Sequence, residues 1–467
     1  MSRRSSTRFV LACMAALALL SCSGKSSSPP PPPAVELTGT VTFQGAALVG
    51  TTVTLTGAAT ATAVADSSGT VRFSALPNGS YTLTPSRPGC TFAPASATLT
   101  LAGSSLAQAF TATLAPRISM GCYHGLALKA DGTVWAWGTN ANGELGDGTS
   151  TSRTTAAQVP GLTRVVAIST GGWHCLAVKT DGTVWAWGNN LFNQLGDGTT
   201  DNRLSPVQVA GLTNIVSVEA GYLHSLALTA MGGLKAWGLN PYGELGDGTT
   251  TNRATPVEVR GLTSGVKGMS AGFYFSVAVT TAGSVKAWGA NAKGQLGDGT
   301  TTYHPQPVNV TGLDSGITAV SAGNWHVLAL TSTGGVKAWG GNQNGELGDG
   351  TTTDRWTPVD VPGLSAGVAK VMATNYFSLA LTASGGAKAW GYGGFGNLGN
   401  GTNSASCPVP VDVQGLTAGV VDLAGGYYSG HAITAAGAYK AWGYNQYGSL
   451  GTGNTITVNT PTDMVGF

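Results

Sequence analysis

The chain has 467 residues, with 23 basic and 21 acidic side chains, a formal net charge of +2 and only 9% charged residues. That balance argues against a basic nucleic-acid-binding face, and the 42% hydrophobic share excludes general disorder. With 71 glycines and many Thr and Asn residues, the composition suits an all-β protein with many short turns, long enough for two or three domains.

Ser2 to Arg8 is polar and basic, and Phe9 to Leu20 is an apolar run too short to span a bilayer comfortably. Residues 1–21 therefore read as a signal peptide. Its end, Leu19-Leu20-Ser21-Cys22, resembles a bacterial lipobox, which implies a diacylated Cys22 at the mature N-terminus. Several acyl chains hold a protein on a membrane stably where one does not. Ser23 in place of Asp after that cysteine implies, by the usual sorting rule, the outer membrane or cell surface. Without Arg3, Arg4 and Arg8 the mature chain has 20 basic residues against 21 acidic ones. Residues 22–34, with the run Pro29 to Pro33, form a stiff Ser/Pro-rich linker.

From 35 to 115, apolar residues alternate with Thr and Ser at Val53-Thr54-Leu55-Thr56, Val71-Arg72-Phe73, Tyr81-Thr82-Leu83-Thr84 and Thr98-Leu99-Thr100-Leu101. Turn residues separate the runs at 66–69, 77–79 and 87–89. Period-two alternation at this spacing predicts a small antiparallel β-sandwich. The patterns Gly39-Thr40-Val41-Thr42-Phe43 and Leu76-Pro77-Asn78-Gly79-Ser80-Tyr81 resemble carboxypeptidase-regulatory-like, prealbumin-type sandwiches. That resemblance implies a spacer or adhesion module.

From 117 to 467 the chain repeats. Trp-Gly pairs begin at Trp137, Trp187, Trp237, Trp288, Trp339, Trp390 and Trp442, in steps of 50 to 52 residues. Each period holds four short strand-like runs, with Asp-Gly or Gly-Gly turns between the middle two. This predicts a seven-bladed β-propeller behind the small β-sandwich. The first copy begins at Ile118 and the last ends in Pro461-Thr462-Asp463-Met464-Val465. The expected closure is a clasp in which this C-terminal strand joins the first copy, since an open ring leaves unpaired strand edges.

Gly-x-x-His, Trp-Gly-x-Asn and Leu-Gly-x-Gly recur in phase throughout this region, and in these motifs the chain resembles the regulator of chromosome condensation repeat family, which includes alpha-tubulin suppressor-like bacterial propellers. One column reads His124, His174, His224, Phe275, His326, Phe377 and Ser429. Phe cannot ligate a metal, so these histidines are expected to be buried and bonded to a neighbouring backbone group. A second column reads Asp147, Asp197, Asp247, Asp298, Asp349, Asn400 and Thr452. One Asp per loop does not make a calcium site, and each is expected to cap its own turn. Arg153, Arg203, Arg253 and Arg355, interrupted by His304, Cys407 and Val458, are expected to bond a neighbouring loop. The Trp column is expected to be core between copies. No cofactor site, metal site or nucleophile with its base is apparent, so the chain is not expected to be an enzyme.

Outside the cytoplasm a disulfide is permitted, and Cys122 and Cys175 occupy similar places in adjacent copies. The candidate partner-binding residues lie just before the histidine column: Tyr123, Trp173, Tyr222, Tyr274, Trp325, Tyr376 and Tyr428. A plant member of the family carries interface tryptophans at a similar position. Phe192, Tyr242, Tyr392, Phe395, Tyr444 and Tyr447 follow the Trp-Gly pairs. Aromatics on rigidly held loops are either partner anchors or packing residues.

The expected function is a non-catalytic scaffold anchored in the cell envelope through lipid, meeting a protein or glycan and not nucleic acid. The family namesake implies an alternative, guanine-nucleotide exchange on a small GTPase. That activity uses an inserted wedge and comes with a basic tail, and neither is found here. A third reading, an extracytoplasmic enzyme, requires a non-repeating acid or base pair in the central funnel.

Overall fold

A computed structural model describes residues 35–467. The predicted signal peptide, Cys22 and the 22–34 linker lie outside these residues. All regular elements among them are strands.

Residues 36 to 114 form two sheets. Glu36–Phe43 pairs with Ala46–Ala47, Thr70–Ser74 and Leu106–Leu114, and the last of these also pairs with Cys90–Ala93. The second sheet is built from Ala61–Val64, Thr52–Gly57, Gly79–Ser86 and Ala97–Leu101 in that spatial order. Alternate residues point inward, so Leu37, Val41, Val53, Leu55, Tyr81, Leu83 and Phe110 share one buried core. One pairing departs from the all-antiparallel expectation. Leu106–Leu114 runs parallel to Glu36–Phe43, with Val41 opposite Phe110. The apolar alternation of both strands is preserved in this register, and so it is compatible with the core.

Beyond residue 117 the same four-stranded sheet recurs. In the first copy Arg117–Met120, His124–Leu128, Val134–Gly138 and Arg153–Gln158 pair in sequence order, all antiparallel. The order is repeated through Val420–Gly425, Ser429–Thr434, Tyr439–Gly443 and Val458–Asp463. The predicted clasp takes another form. Strand Val458–Asp463 pairs with Tyr439–Gly443 of its own copy, because each copy already holds its own fourth strand.

The junctions between copies explain the repeated motif. Each motif Trp is fully buried. Its indole donates to a backbone carbonyl in the preceding copy's loop, as Trp187 does to Glu144 O at 2.9 Å and Trp237 to Gln194 O at 2.9 Å. Trp137 of the first copy donates in the same way to Ser449 O of the last, at 2.8 Å. A backbone bond follows the same rule. Gly148 N donates to Leu204 O and Gly198 N to Ala254 O, and Gly453 N returns to Thr154 O at 2.8 Å. The last and first copies thus meet through the contacts that join any adjacent pair. Val465 O, accepting from Ala156 N at 3.2 Å, is an addition at this seam.

Glycine is required in two places by geometry. Gly138 has φ of +99°, and a Cβ there would come within 2.2 Å of Tyr123 O. Gly196 of the Leu-Gly pair has φ of +71° and faces Trp237 Nε1, which a Cβ would approach to 2.7 Å. A side chain at either position meets both backbone strain and a clash. The Asn of Trp-Gly-x-Asn holds the loop that follows each Trp-Gly pair: Asn190 Oδ1 accepts from Leu195 N, and its amide donates to Thr199 O.

Candidate functional site

Three repeated columns resolve into scaffolding. His174 Nε2 lies 2.9 Å from Ser225 Oγ of the next copy, and that hydroxyl donates to Gln194 O at 2.8 Å. His224 with Ser276, and His326 with Ser378, repeat the arrangement at 2.9 Å each. The expected backbone partner is thus a serine side chain across the junction. Where the column has Phe, the facing position is apolar: Phe275 shares a cluster with Val327, and Phe377 is followed in the next copy by Gly430. His124 faces Cys175, whose thiol bonds Glu144 O instead, and both ring nitrogens of His124 lack a hydrogen bond although the His174 backbone lies beside the ring. Burial lowers these imidazoles to about 3 at His174, His224 and His326 and about 4 at His124. They are neutral at physiological pH.

The Asp column caps its own turn. Asp197 Oδ1 accepts from Thr199 N and Oγ, while Oδ2 takes Arg203 Nε and Nη2 at 2.7 Å each. The Arg column therefore serves its own loop, not a neighbouring one, in a bidentate pair. The two columns change together: Asp298 pairs with His304 at 3.1 Å, and where Arg gives way to Cys407 and Val458, the Asp gives way to Asn400 and Thr452. Burial opposes ionisation of these carboxylates, but the bonds from Thr and Arg prevail and hold them below the usual range. Cys90, Cys122, Cys175 and Cys407 are free thiols, so Cys122 and Cys175 form no disulfide. Cys122 is in the loop before its strand and Cys175 within one.

The positions that vary are collected on one face. The loops 121–123, 171–173 and 221–223, with their later equivalents, emerge on the same side as the long Trp-Gly loops. All seven predicted aromatics are half-buried there. They occupy two columns, not one. Tyr123, Trp173, Tyr274, Trp325, Tyr376 and Tyr428 directly precede the His position, while Leu223 fills that place in the third copy. Tyr222 belongs to an inner column with Cys122, Gly172, Phe273, Asn324, Asn375 and Tyr427.

The two columns interlock into a belt. Phe273 stacks on Tyr222 with centroids 4.0 Å apart and reaches Trp325 at 5.7 Å. Trp173 Nε1 lies 3.4 Å from Tyr222 Oη, and Trp173 reaches Tyr123 at 6.0 Å. Tyr123 continues to Tyr427 at 5.6 Å, and Tyr427 to Tyr376 at 5.6 Å. Of the second aromatic group, Tyr392, Phe395 and Tyr444 pack around Tyr428, and Tyr447 meets Tyr123 at 4.7 Å. Tyr242 meets Tyr274 at 5.7 Å, and Phe192 is exposed. Burial and neighbouring phenols push Tyr123 and Tyr428 up to about 12, so both stay protonated and able to donate.

Phe273 and Tyr427 escaped the sequence reading because they are one residue out of register with Tyr123. Trp356 and Tyr303, both 50% exposed beside the long loops, also escaped it. Tyr303 precedes an outer strand at a position that is polar in the other copies, and Trp356 is the second residue of one, where no other copy carries an aromatic.

The N-terminal sheets contact the opposite face, where the hairpin turns lie. Val49 N donates to Thr180 O at 2.9 Å, and Gln44 Nε2 to Asp131 O at 2.9 Å. The aromatic face is turned away from them.

Recurrent four-stranded sheets, joined by one repeated contact and bearing a non-repeating face, define a propeller-type repeat protein. The comparisons supply the family. The RCC1-like domain model matches residues 52–315, more than half of the chain, and regulator of chromosome condensation (RCC1) repeat models match 317–346, 333–381 and 385–433. The chain belongs to the RCC1-like domain family.

It is 30% identical over 202 residues to the ultraviolet-B receptor UVR8 of Arabidopsis thaliana, covering 43% of this chain and 46% of that protein. It is 34% identical over 207 residues to human E3 ubiquitin-protein ligase HERC2, covering 43% of this chain and 4% of the ligase. The matches thus span less than half the length of these relatives. Among solved structures, Prp20p of Saccharomyces cerevisiae aligns with a TM-score of 0.64 at 22% identity, over 74% of this chain and 88% of that one. Human WBSCR16 aligns with a TM-score of 0.63 at 23% identity, over 71% and 94%. RCC1-like propellers are mostly binding or regulatory modules.

Proposed function

We propose that the chain is a non-catalytic binding scaffold of the bacterial cell envelope. In this reading the seven sheets form one closed seven-bladed propeller, the N-terminal sheets are a prealbumin-type spacer, and Cys22 carries the lipid. The carrying observation is the belt of half-buried Tyr, Trp and Phe on the face turned away from the N-terminal sheets. Tyr and Trp offer large contact area at low entropic cost and a polar tip that still bonds, which suits a protein or glycan partner. The packed belt holds them in place, so little ordering cost accompanies binding. Guanine-nucleotide exchange takes second place, because repeat steps of 50 to 52 residues leave no room for an inserted wedge.

The test is capture of envelope proteins and a glycan panel by the full chain and by its Trp173→Ala/Trp325→Ala double variant. Loss of a specific ligand in the variant supports the aromatic face. Unaltered capture refutes it.

A further inference from the structure

The first strands of the copies surround a central channel of about 340 Å³, within the size range of small-molecule pockets. Most of its wall is Ser, Ala, Gly and backbone. Ser119, Ser169, Ser270 and Ser321 occupy one position on successive strands, and their hydroxyls accept from Thr170 N, Ala220 N, Ala322 N and Ala373 N of the next copy. The third copy places Glu219 at this position, and the last two copies place Met372 and Ala424 there.

Three more charges line the channel, and two of them are paired with each other. Lys370 Nζ is 2.6 Å from Asp422 Oδ1 and donates to Leu423 O, while Asp422 Oδ2 accepts from Ile118 N at 3.1 Å. Arg117 has its guanidinium beside Gly89 of the N-terminal sheets, in no ion pair among the described residues, and acts on Glu219 only at longer range. The Glu219 carboxylate has no basic side chain in ion-pair contact among the described residues. Ser169 and Ser270 flank it, each with a hydroxyl lone pair left over. The channel mouth above it carries the stacked Tyr222 and Phe273.

We propose that this channel binds a small molecule bearing a primary ammonium group, with Glu219 as its counter-ion. An ammonium has three donors and no acceptor, and here a carboxylate and two hydroxyl oxygens lie along one wall. The aromatic mouth favours passage of a cation. A metal ion is a poor match, because no group of three His, Cys, Asp or Glu side chains occurs among the described residues. Enclosure pushes the Glu219 carboxyl up to about 7, against the opposing pull of Lys370 and Arg117. Asp422, Cys122 and Tyr222 are the other titratable groups along the channel. Ligand binding therefore requires loss of the Glu219 proton and strengthens as pH rises through 7.

The channel mouth shares Tyr222 with the aromatic belt, but Glu219 lies below it, so the Glu219 variants read this proposal apart from capture at the belt. The experiment is calorimetric titration of the full chain with putrescine, cadaverine and lysine, and with butanediol and succinate as uncharged and anionic matches. Saturable binding of at least one amine is expected, stronger at about pH 8.5 than at about pH 5.5. Glu219→Gln, which preserves shape, and Glu219→Ser, which places there the serine that four other copies carry, should each weaken binding at least tenfold. Met231→Ala, exposed in a hairpin turn on the opposite face, should leave it unchanged. No saturable amine binding, equal binding by both Glu219 variants, or a preference for succinate overturns the proposal.

Discussion

The pairing of His with Ser, and of Phe with an apolar residue, across each junction yields a sharp prediction at His224 and Ser276. The hydroxyl of Ser276 donates to Glu244 O at 2.9 Å, so the imidazole Nε2–H must be the donor to Ser276 Oγ at 2.9 Å. Ser276→Val removes that acceptor and orphans a fully buried N–H, at a cost of about 1–3 kcal/mol. Glu244 O keeps its bond from Trp288 Nε1, so the loss falls chiefly on the histidine. His224→Phe alone leaves the Ser276 hydroxyl without its donor, at about 1 kcal/mol. The double variant recreates the Phe275–Val327 junction of the next copy and should lie within about 1 kcal/mol of the parent. A favourable coupling of about 1–3 kcal/mol is therefore expected from the cycle. Urea midpoints at constant m-value, followed by tryptophan fluorescence, measure it. Additive losses, with the double variant as unstable as the sum of the singles, would refute the reasoning.

Cys175→Ser places a serine opposite His124, whose ring nitrogens are otherwise unbonded; a gain of about 0.5–1.5 kcal/mol in unfolding free energy is expected, and a loss contradicts the pairing rule. The buried imidazoles, with native values of about 3 to 4 against an ordinary 6.5, make the unfolded chain bind more protons below 6.5. Stability should then fall as pH drops from about 6.5 towards 3 and level off above that window. Glu219 and Glu244, both raised to about 7, and Glu144 and Glu346, which burial also raises, act with the opposite sign as pH rises above about 4.5, four groups against five. A urea midpoint that does not change between pH 7 and 4 would contradict this. Deleting residues 465–467 removes Phe467, stacked on Tyr439 at 4.0 Å and edge-on to Trp137 at 5.6 Å. Because Phe467 is partly exposed, a loss of only about 1–2 kcal/mol is expected. Global unfolding on this deletion would mean that the ring depends on these residues for closure.

The recurrent sheet was legible in the sequence because Trp-Gly, Leu-Gly-x-Gly and the His column keep phase, and each proves to be an inter-copy contact. Closure was misread for a physical reason. Pro461 to Val465 looks like an unmatched strand only if the corresponding segment in each copy belongs to its successor, and the pairing shows that it belongs to its own copy. The parallel pairing of Leu106–Leu114 was hidden because period-two alternation does not encode strand direction. Six of the aromatic positions on the face follow directly from the motif phase, but Phe273 and Tyr427, in the column of Tyr222, do not, since packing brought together two columns one residue apart. Glu219 was invisible for another reason. A glutamate in an alternating strand reads as solvent-facing, and only the closing of the strands around an axis turns that position into a channel wall.

The most direct test of the scaffold reading is amide hydrogen exchange on the full chain with and without a captured envelope ligand. Protection should concentrate in the loops 121–123, 171–173, 221–223 and their later equivalents, together with the long loops that carry Tyr447 and precede Trp356. Protection confined to the hairpin turns around 129–133 and 180–183, or to the N-terminal sheets, would place the partner on the opposite face and contradict the account.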